Sequence, residues 1–308
     1  MSSPFGPLVL VVNPVSGRGK VGRELPEVER SLSSLDLRYR VVRTGGPGDA
    51  TRAARDALED GERFVVAMGG DGTVHEVVNG MLRDDRPLAE GAVLGVIAAG
   101  SGCDFVRTFG LPGDAVRAAG HLAGETTMPL DVGKVTYADD DGASLTRYFP
   151  NIAEAGLGGS VVARAELLPR FFGRSRYFFG FWLTLPRFKR VRMSVRAGAK
   201  KTFEGEAHNL VVANCQYYGG GMKISPRSWP SDMALDALVF NGPKSDSFTI
   251  LPKVYRGDHL PHRNIVEFKS RKIEVESERP LRIEADGEVL GWTPATFEVV
   301  PHPLRLKL

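Results

Sequence analysis

Three stretches of this chain combine glycine with residues that handle charge. Residues 65–80 read VVAMGGDGTVHEVVNG, an apolar run, a glycine turn around Asp71 and then an amphipathic pattern. The run suits a strand buried on both faces of a parallel sheet. Val74, Val77, Val78, Met81 and Leu82 recur at helical spacing, with His75, Glu76 and Asn79 on other faces. Gly69, Gly70 and Gly72 thus fall in a strand-to-helix crevice, where backbone N–H groups approach an anion without a Cβ in the way. Asp71 is no simple anion anchor, because a carboxylate repels a phosphate unless a metal ion or a transferred proton mediates. It reads as a Mg2+ or transition-state organiser; the plainer alternative is a helix cap at a tight turn.

NPVSGRGK at 13–20 also follows an apolar run, and Arg18 and Lys20 suit a polyphosphate, or else form a solvated surface pair. A Walker A loop is excluded, since glycine is missing at Pro14 and Ser or Thr at Val21. GSGCDF at 100–105 starts like a dinucleotide fingerprint but has Phe105 for the third glycine. Loops at the C-terminal ends of buried parallel strands converge on one edge, so a single nucleotide site accounts for all three. Thr44, after a further strand signal, is either a nucleotide contact or a turn start.

The elements that must position these loops alternate. PLVLVVN, RYRVV, FVVAM and VLGVIAA are strand-like, with helical spacing between them. That order predicts an α/β domain with a doubly wound parallel sheet. Beyond about residue 128, short segments such as MPLDVGKVTY, RMSVRA, NLVVANC, ALDALVF and RKIEVES predict a mainly antiparallel second domain. The expected division is 1–128 and 129–295, with about 296–308 either closing the second domain or returning to the first.

At 308 residues each domain can bury its own core. A formal net charge of +3 is too mild for a nucleic-acid protein, and no nucleic-acid module accompanies it. Cys103 and Cys215 are the only cysteines, which excludes a disulfide framework and fits a reducing compartment, the cytoplasm by default. LVLVV at 8–12 is too short for a signal core, and no window reaches the roughly 18 apolar residues of a membrane span. Residues 164–192 interleave eight basic residues with eight aromatics. This suits peripheral contact with an anionic membrane surface, or equally a helix that packs its aromatics and leaves arginines in solvent. His259 and His262 lack a third metal ligand and read as surface histidines.

NPxSGxG at 13–19, GGDGTxxEVxNG at 69–80 and GSxxDFxR at 100–107 carry a family resemblance, continued by GGGMKISPRSWPSDMALDALVF at 219–240 and ADGE at 285–288. The chain resembles the diacylglycerol kinase catalytic domain superfamily, which includes bacterial soluble lipid kinases and sphingosine kinases. The resemblance implies an ATP-binding domain like that of phosphofructokinase and NAD kinase, a β-sandwich-like lipid-side domain, and final residues that return to the first domain. It implies ATP and Mg2+ as cofactors and a lipid hydroxyl as acceptor in phospholipid metabolism. By position it makes Asn13, Ser16, Gly17, Thr44, Gly69, Gly70, Asp71, Gly72, Thr73, Glu76 and Ser101 nucleotide contacts. Glu288 matches the family's proton acceptor, Asp286 being the other candidate. Read from the residues alone, Glu288 is also a plain hairpin acid beside a DG turn. Asp232, with the carbonyls of Trp229 and Ala234, matches a structural magnesium position of some bacterial members.

Three departures stand out. Cys103 replaces the usual Asn, Met233 replaces the glycine after Asp232, and Trp229-Pro230 intrudes in the same loop. The leading expectation is an ATP-dependent lipid kinase. An NAD kinase-like enzyme and a catalytically impaired lipid-binding regulator are the alternatives. The sequence leaves the lipid and the oligomeric state open, a homodimer included.

Overall fold

A computed structural model of the chain describes residues 3–99, 103–168 and 175–308. Ser101 and residues 169–174 of the basic aromatic stretch lie outside the described residues. The chain divides into two units, Met1–Val132 with Val300–Leu308, and Gly133–Val299.

The first unit runs β1 (Leu8–Val12), α1 (Ser16–Ser34), β2 (Tyr39–Arg43), α2 (Asp49–Glu59), β3 (Phe64–Gly69) and α3 (Asp71–Met81). A small ribbon of β4 (Leu82–Arg83) and β5 (Arg86–Pro87) follows, then β6 (Val93–Ala98), α4 (Asp104–Thr108), α5 (Ala115–Gly120) and the start of β7 (Thr127–Ala138). β2, β1, β3 and β6 lie side by side, all parallel, and the end of the last strand, β17 (Glu288–Lys307), adds Arg305 and Leu306 opposite Val93 and Leu94. β1, β3 and β6 are buried throughout, as their continuous apolar sequences require. Val21, Leu25, Val28 and Leu32 of α1 cover one face of this sheet together with α5. Each such fully buried aliphatic side chain contributes about 1.5–3 kcal/mol.

α2 and α3 pack against each other and on β1 and β3. Val74, Val77, Val78, Met81 and Leu82 are buried, as the stripe read from the sequence requires, and Thr73, His75 and Gly80 are buried beside them, so the covered face is wider than that stripe and takes in His75. At Gly80 a Cβ would stand 2.2 Å from the Thr51 carbonyl, so α2 and α3 touch at the backbone.

The second unit is built from β8 (Ser144–Phe149), β9 (Ile152–Gly156), α6 (Leu157–Glu166), α7 (Ser175–Thr184), β10 (Val191–Ala197), β11 (Lys200–Ala207), β12 (Asn209–Ala213), β13 (Leu235–Phe240), α8 (Asp246–Val254), β14 (Ile265–Ser270), β15 (Lys272–Ser277) and β16 (Arg282–Ala285), with the first part of β17. Its strand pairs are antiparallel. One run is β14-β13-β12-β9-β16-β17, and β11-β10-β15 joins the same β17, which also pairs with β7. Val135, Phe149, Ala153, Val195, Leu210, Ile273 and Phe297 fill the core between them. Alternate burial along β10 shows why the sequence reads as short strands with one face inward.

Candidate active site

In the first unit the glycine loops meet at the C-terminal ends of β1 and β3. The Asn13 backbone N–H donates to the Met68 carbonyl, and its side-chain amide lies 3.4 Å from Thr73 Oγ1. Gly69 is obligatory, since a Cβ there would fall 2.3 Å from the same Thr73 oxygen. Gly17, Arg18 and Gly19 have φ of 60°, 60° and 78°, so the regular part of α1 starts only after this left-handed turn. The Gly19 N–H closes this turn on the Val15 carbonyl at 3.0 Å, and the turn brings backbone close to the loop after β3 without a Cβ at either glycine. Ser16 Oγ lies close to Gly70, 3.5 Å from where a Cβ would sit.

Asp71 caps a helix, though not its own. Its Oδ2 accepts the Asp104 N–H at 3.1 Å, and its Oδ1 accepts the Phe105 N–H at 3.0 Å and the Cys103 thiol at 3.3 Å. These contacts satisfy the first donors of α4 and fasten the loop after β6 to the loop after β3. Burial, and secondly the nearby Asp104 carboxylate, push the Asp71 carboxyl up to about 6 against the hydrogen bonds that favour its charge. Burial also raises the Cys103 thiol, which stays protonated and donates. Asp104 is buried and pairs with Arg107 Nε at 3.1 Å.

Other candidates of this unit serve the fold directly. Lys20 pairs with Glu24 one turn along α1 at 3.2 Å. Glu76 Oε2 accepts the Ala50 N–H at 3.1 Å, supplying the first turn of α2 with an acceptor that Gly48 lacks. The Thr44 N–H donates to the Val12 carbonyl and extends the pairing of β2 with β1. Glu76 is thus a clamp between α2 and α3.

In the second unit, Ala285 and Glu288 are cross-strand partners, so Asp286 and Gly287 form a two-residue hairpin turn. Their φ values of 51° and 87° are those of a type I′ turn, which Asp-Gly adopts readily. Asp286 Oδ1 accepts the N–H groups of both Asn151 and Ile152, at 3.1 and 3.0 Å. It is occupied in tying the turn to β9, whereas Glu288 opens β17 half-buried. Beside them lies a carboxyl pair that the motifs did not indicate. Glu154 on β9 and Glu284 on β16 are directly opposite, 3% and 2% exposed. The signal was a single Glu between apolar neighbours in each of two strands, Ala153 and Ala155 in IAEAG and Ile283 and Ala285 in RIEA. Also in this unit, a cavity of about 110 Å³ is lined by Leu157, Phe181, Phe240, Ile250 and Val254, with Asn209 and Tyr218 among its polar groups.

Comparison with known proteins decides the family. Residues 7–135 match the diacylglycerol kinase catalytic domain, and residues 151–308 match the YegS C-terminal NAD kinase beta sandwich-like domain. The chain belongs to the diacylglycerol kinase catalytic domain superfamily. A diacylglycerol kinase of Bacillus subtilis (strain 168) is 28% identical over 291 residues, 94% of this chain and 91% of the relative. The crystal structure of a diacylglycerol kinase from Bacillus anthracis str. Sterne superposes with a TM-score of 0.73 at 23% identity, covering 99% of this chain and 97% of that one. Yeast NADH kinase complexed with NADH gives a TM-score of 0.52 at 10% identity, over 97% and 82% of the two chains. The fold is therefore that of diacylglycerol and NAD kinases, and membership of the superfamily makes the chain a kinase.

Two departures from the superfamily pattern have a structural answer. Cys103 provides a donor to Asp71 in the place of the superfamily's Asn. At the expected magnesium position, Lys269 Nζ lies 2.6 Å from Asp232 Oδ2 and 3.2 Å from Asp236 Oδ2. Asp232 Oδ1 accepts the Ala234 N–H, and the Trp229 carbonyl accepts the Ser231 N–H. With Met233 held at φ 60° and an ammonium between two carboxylates, Asp232, Trp229 and Ala234 do not fit a bound divalent ion. Among the described residues no group of three His, Cys, Asp or Glu side chains could hold a metal. His259 is a further correction. It is 2% exposed, with Nε2 3.0 Å from the Ile224 carbonyl, and burial lowers its pKa.

Proposed function

We propose that the chain is an ATP-dependent lipid kinase, whose first unit cradles the nucleotide and whose second unit receives the acceptor hydroxyl. The observation that carries the reading is Asp71, a carboxylate in the glycine turn after β3, fixed by three donors from the start of α4 and pushed up to about 6 by burial. Phosphoryl transfer needs positioning and charge neutralisation more than covalent chemistry from the protein. Backbone N–H groups at the turns around Gly17 and around Gly70 to Gly72 take up phosphate oxygens, and Arg18 adds positive charge. Asp71 fits as the one protein carboxylate on a Mg2+ that arrives with the nucleotide, the usual way this ion is held, and the ion would offset phosphate charge. Glu288 accepts the hydroxyl proton as the bond to phosphorus forms, because a free alcohol is too weak an acid to ionise beforehand.

The apolar cavity of the second unit supports a lipid acceptor, as do relatives named diacylglycerol kinase. Peripheral contact with an anionic membrane belongs to the same proposal. Phe178, Phe179 and Leu183 of α7 and Phe248 of α8 are exposed, and the Trp182 and Phe248 rings lie 5.1 Å apart. Lys244, bonded to the Pro186 carbonyl, and Arg187 sit at the end of α7. Aromatics flanked by cations suit the headgroup boundary of an anionic bilayer. No helix among the described residues is long and apolar enough to cross a membrane.

The test is transfer from γ-labelled ATP to diacylglycerol, a sphingoid base or NAD, each in turn. Labelled lipid is expected, with Asp71→Asn reducing the rate about a hundredfold or more. Label in NAD alone would establish the NAD kinase reading, and no ATP consumption with any acceptor would leave a regulatory lipid-binding protein.

A further inference from the structure

Glu154 and Glu284 face each other across the β9–β16 pair, both buried, and their carboxyls hydrogen-bond to one another. Two ionised carboxylates cannot share such a site, so they hold a proton between them. Burial, and next the charge of Glu154, keep Glu284 protonated far above the ordinary carboxyl range. Its O–H therefore donates to Glu154. Glu154 also accepts from Asn209 Nδ2 at 2.7 Å and from Tyr218, so three donors converge on it. Gly158 makes the room, since a Cβ there would stand 1.8 Å from Glu154 Oε2. The other oxygen role of Glu284 points toward the hairpin: Oε2 accepts the Gly287 N–H at 2.8 Å.

Gly287 is the last turn residue before Glu288, and as part of the two-residue loop beyond the Ala285–Glu288 pair its N–H has no place in the cross-strand ladder. The turn is thus gripped twice, by Asp286 on β9 and by Glu284 through Gly287. We propose that Glu284, braced by Glu154, is a positioning residue that sets the direction of Glu288 through the Gly287 amide. The proposal rests on Glu288 being the carboxylate at the acceptor hydroxyl. A purely structural buried pair has no need to face the one turn that carries that residue. Replacing such a pair by apolar side chains often leaves stability unchanged or raised, so the two roles separate experimentally.

Glu284→Leu, Glu284→Gln, Glu284→Asp and Glu288→Gln are compared in phosphorylation of diacylglycerol in mixed micelles, together with melting temperatures. The amide of Gln accepts from Gly287 and donates to Glu154, as the protonated Glu284 does. Leu is expected to lower kcat about tenfold to a hundredfold, with KM for ATP within twofold of wild type, and Gln to recover most of that loss. Asp keeps a buried carboxyl but withdraws it by one methylene, so it carries the same expectation where Leu does not fold. Folded Leu or Asp variants with the wild-type kcat overturn the proposal when Glu288→Gln is inactive. Full activity of Glu288→Gln overturns the underlying reading instead. Hydrogen exchange of the Gly287 amide reads the grip without turnover: fast in Leu and Asp, protected in Gln and wild type. Equal protection in all four ends the proposal.

Discussion

The thiol of Cys103 donates to Oδ1 of Asp71 across 3.3 Å, on the same oxygen that accepts the Phe105 N–H. A donor to the ionised carboxylate favours its charge, so this contact holds down a pKa that burial and Asp104 raise to about 6. Cys103→Ala should move the acid limb of kcat/KM for ATP to higher pH, and Cys103→Ser, a stronger donor, to lower pH. A limb that stays in place in both variants would detach Asp71 from the rate. Stability runs the other way. The folded carboxyl takes its proton near 6 and the unfolded one near 3.8, so this group adds stability as pH falls through that window while the rate declines. Melting temperatures between these pH values, wild type against Asp71→Asn, check the sign.

Asp286 and Glu288, two residues apart, should fail in different ways. Asp286→Ala strips two backbone N–H groups of their acceptor and is expected to cost about 2 kcal/mol of stability, read by denaturant midpoint. Glu288→Gln should leave the midpoint nearly unchanged, retain the KM for ATP and lower kcat about a hundredfold. A loss of ATP binding in the Gln variant would contradict its place on the acceptor side.

Lys269 stands between Asp232 and Asp236 where the superfamily resemblance places a magnesium ion. The melting temperature of the wild type should therefore be indifferent to EDTA. Lys269→Ala should lose about 1 kcal/mol or less, the pair being part-exposed, and regain stability with millimolar Mg2+ as two uncompensated carboxylates become available. An EDTA-sensitive wild type would restore the metal site.

The exposed aromatics of α7 and α8 predict a salt-sensitive, shallow membrane contact. Binding to anionic vesicles should weaken as salt rises, and Phe178→Ser with Phe248→Ser should reduce it about tenfold or more while sparing activity on detergent-dispersed lipid. Sedimentation with vesicles of neutral and anionic composition measures both, and identical binding to the two compositions would remove the electrostatic part.

Sequence alone determined what local pattern can determine. The buried strands were legible because parallel strands covered on both faces must be apolar throughout, as in Leu8–Val12 and Phe64–Gly69. The DG turn was legible because few other residues tolerate two positive φ values in succession. Tertiary structure decided what each side chain does with its neighbours. Asp71 caps α4 from 33 residues away, Glu76 caps α2, and Lys269 meets Asp232 across 37 residues. The Glu154–Glu284 pair is the clearest case: each was one acid between two apolar neighbours, and only the β9–β16 register, joining segments far apart in the chain, put them face to face. Spacing along a strand or helix fixes which face a residue occupies, but hydrogen-bond partners and shared protons depend on what the fold brings opposite, and that is a long-range property.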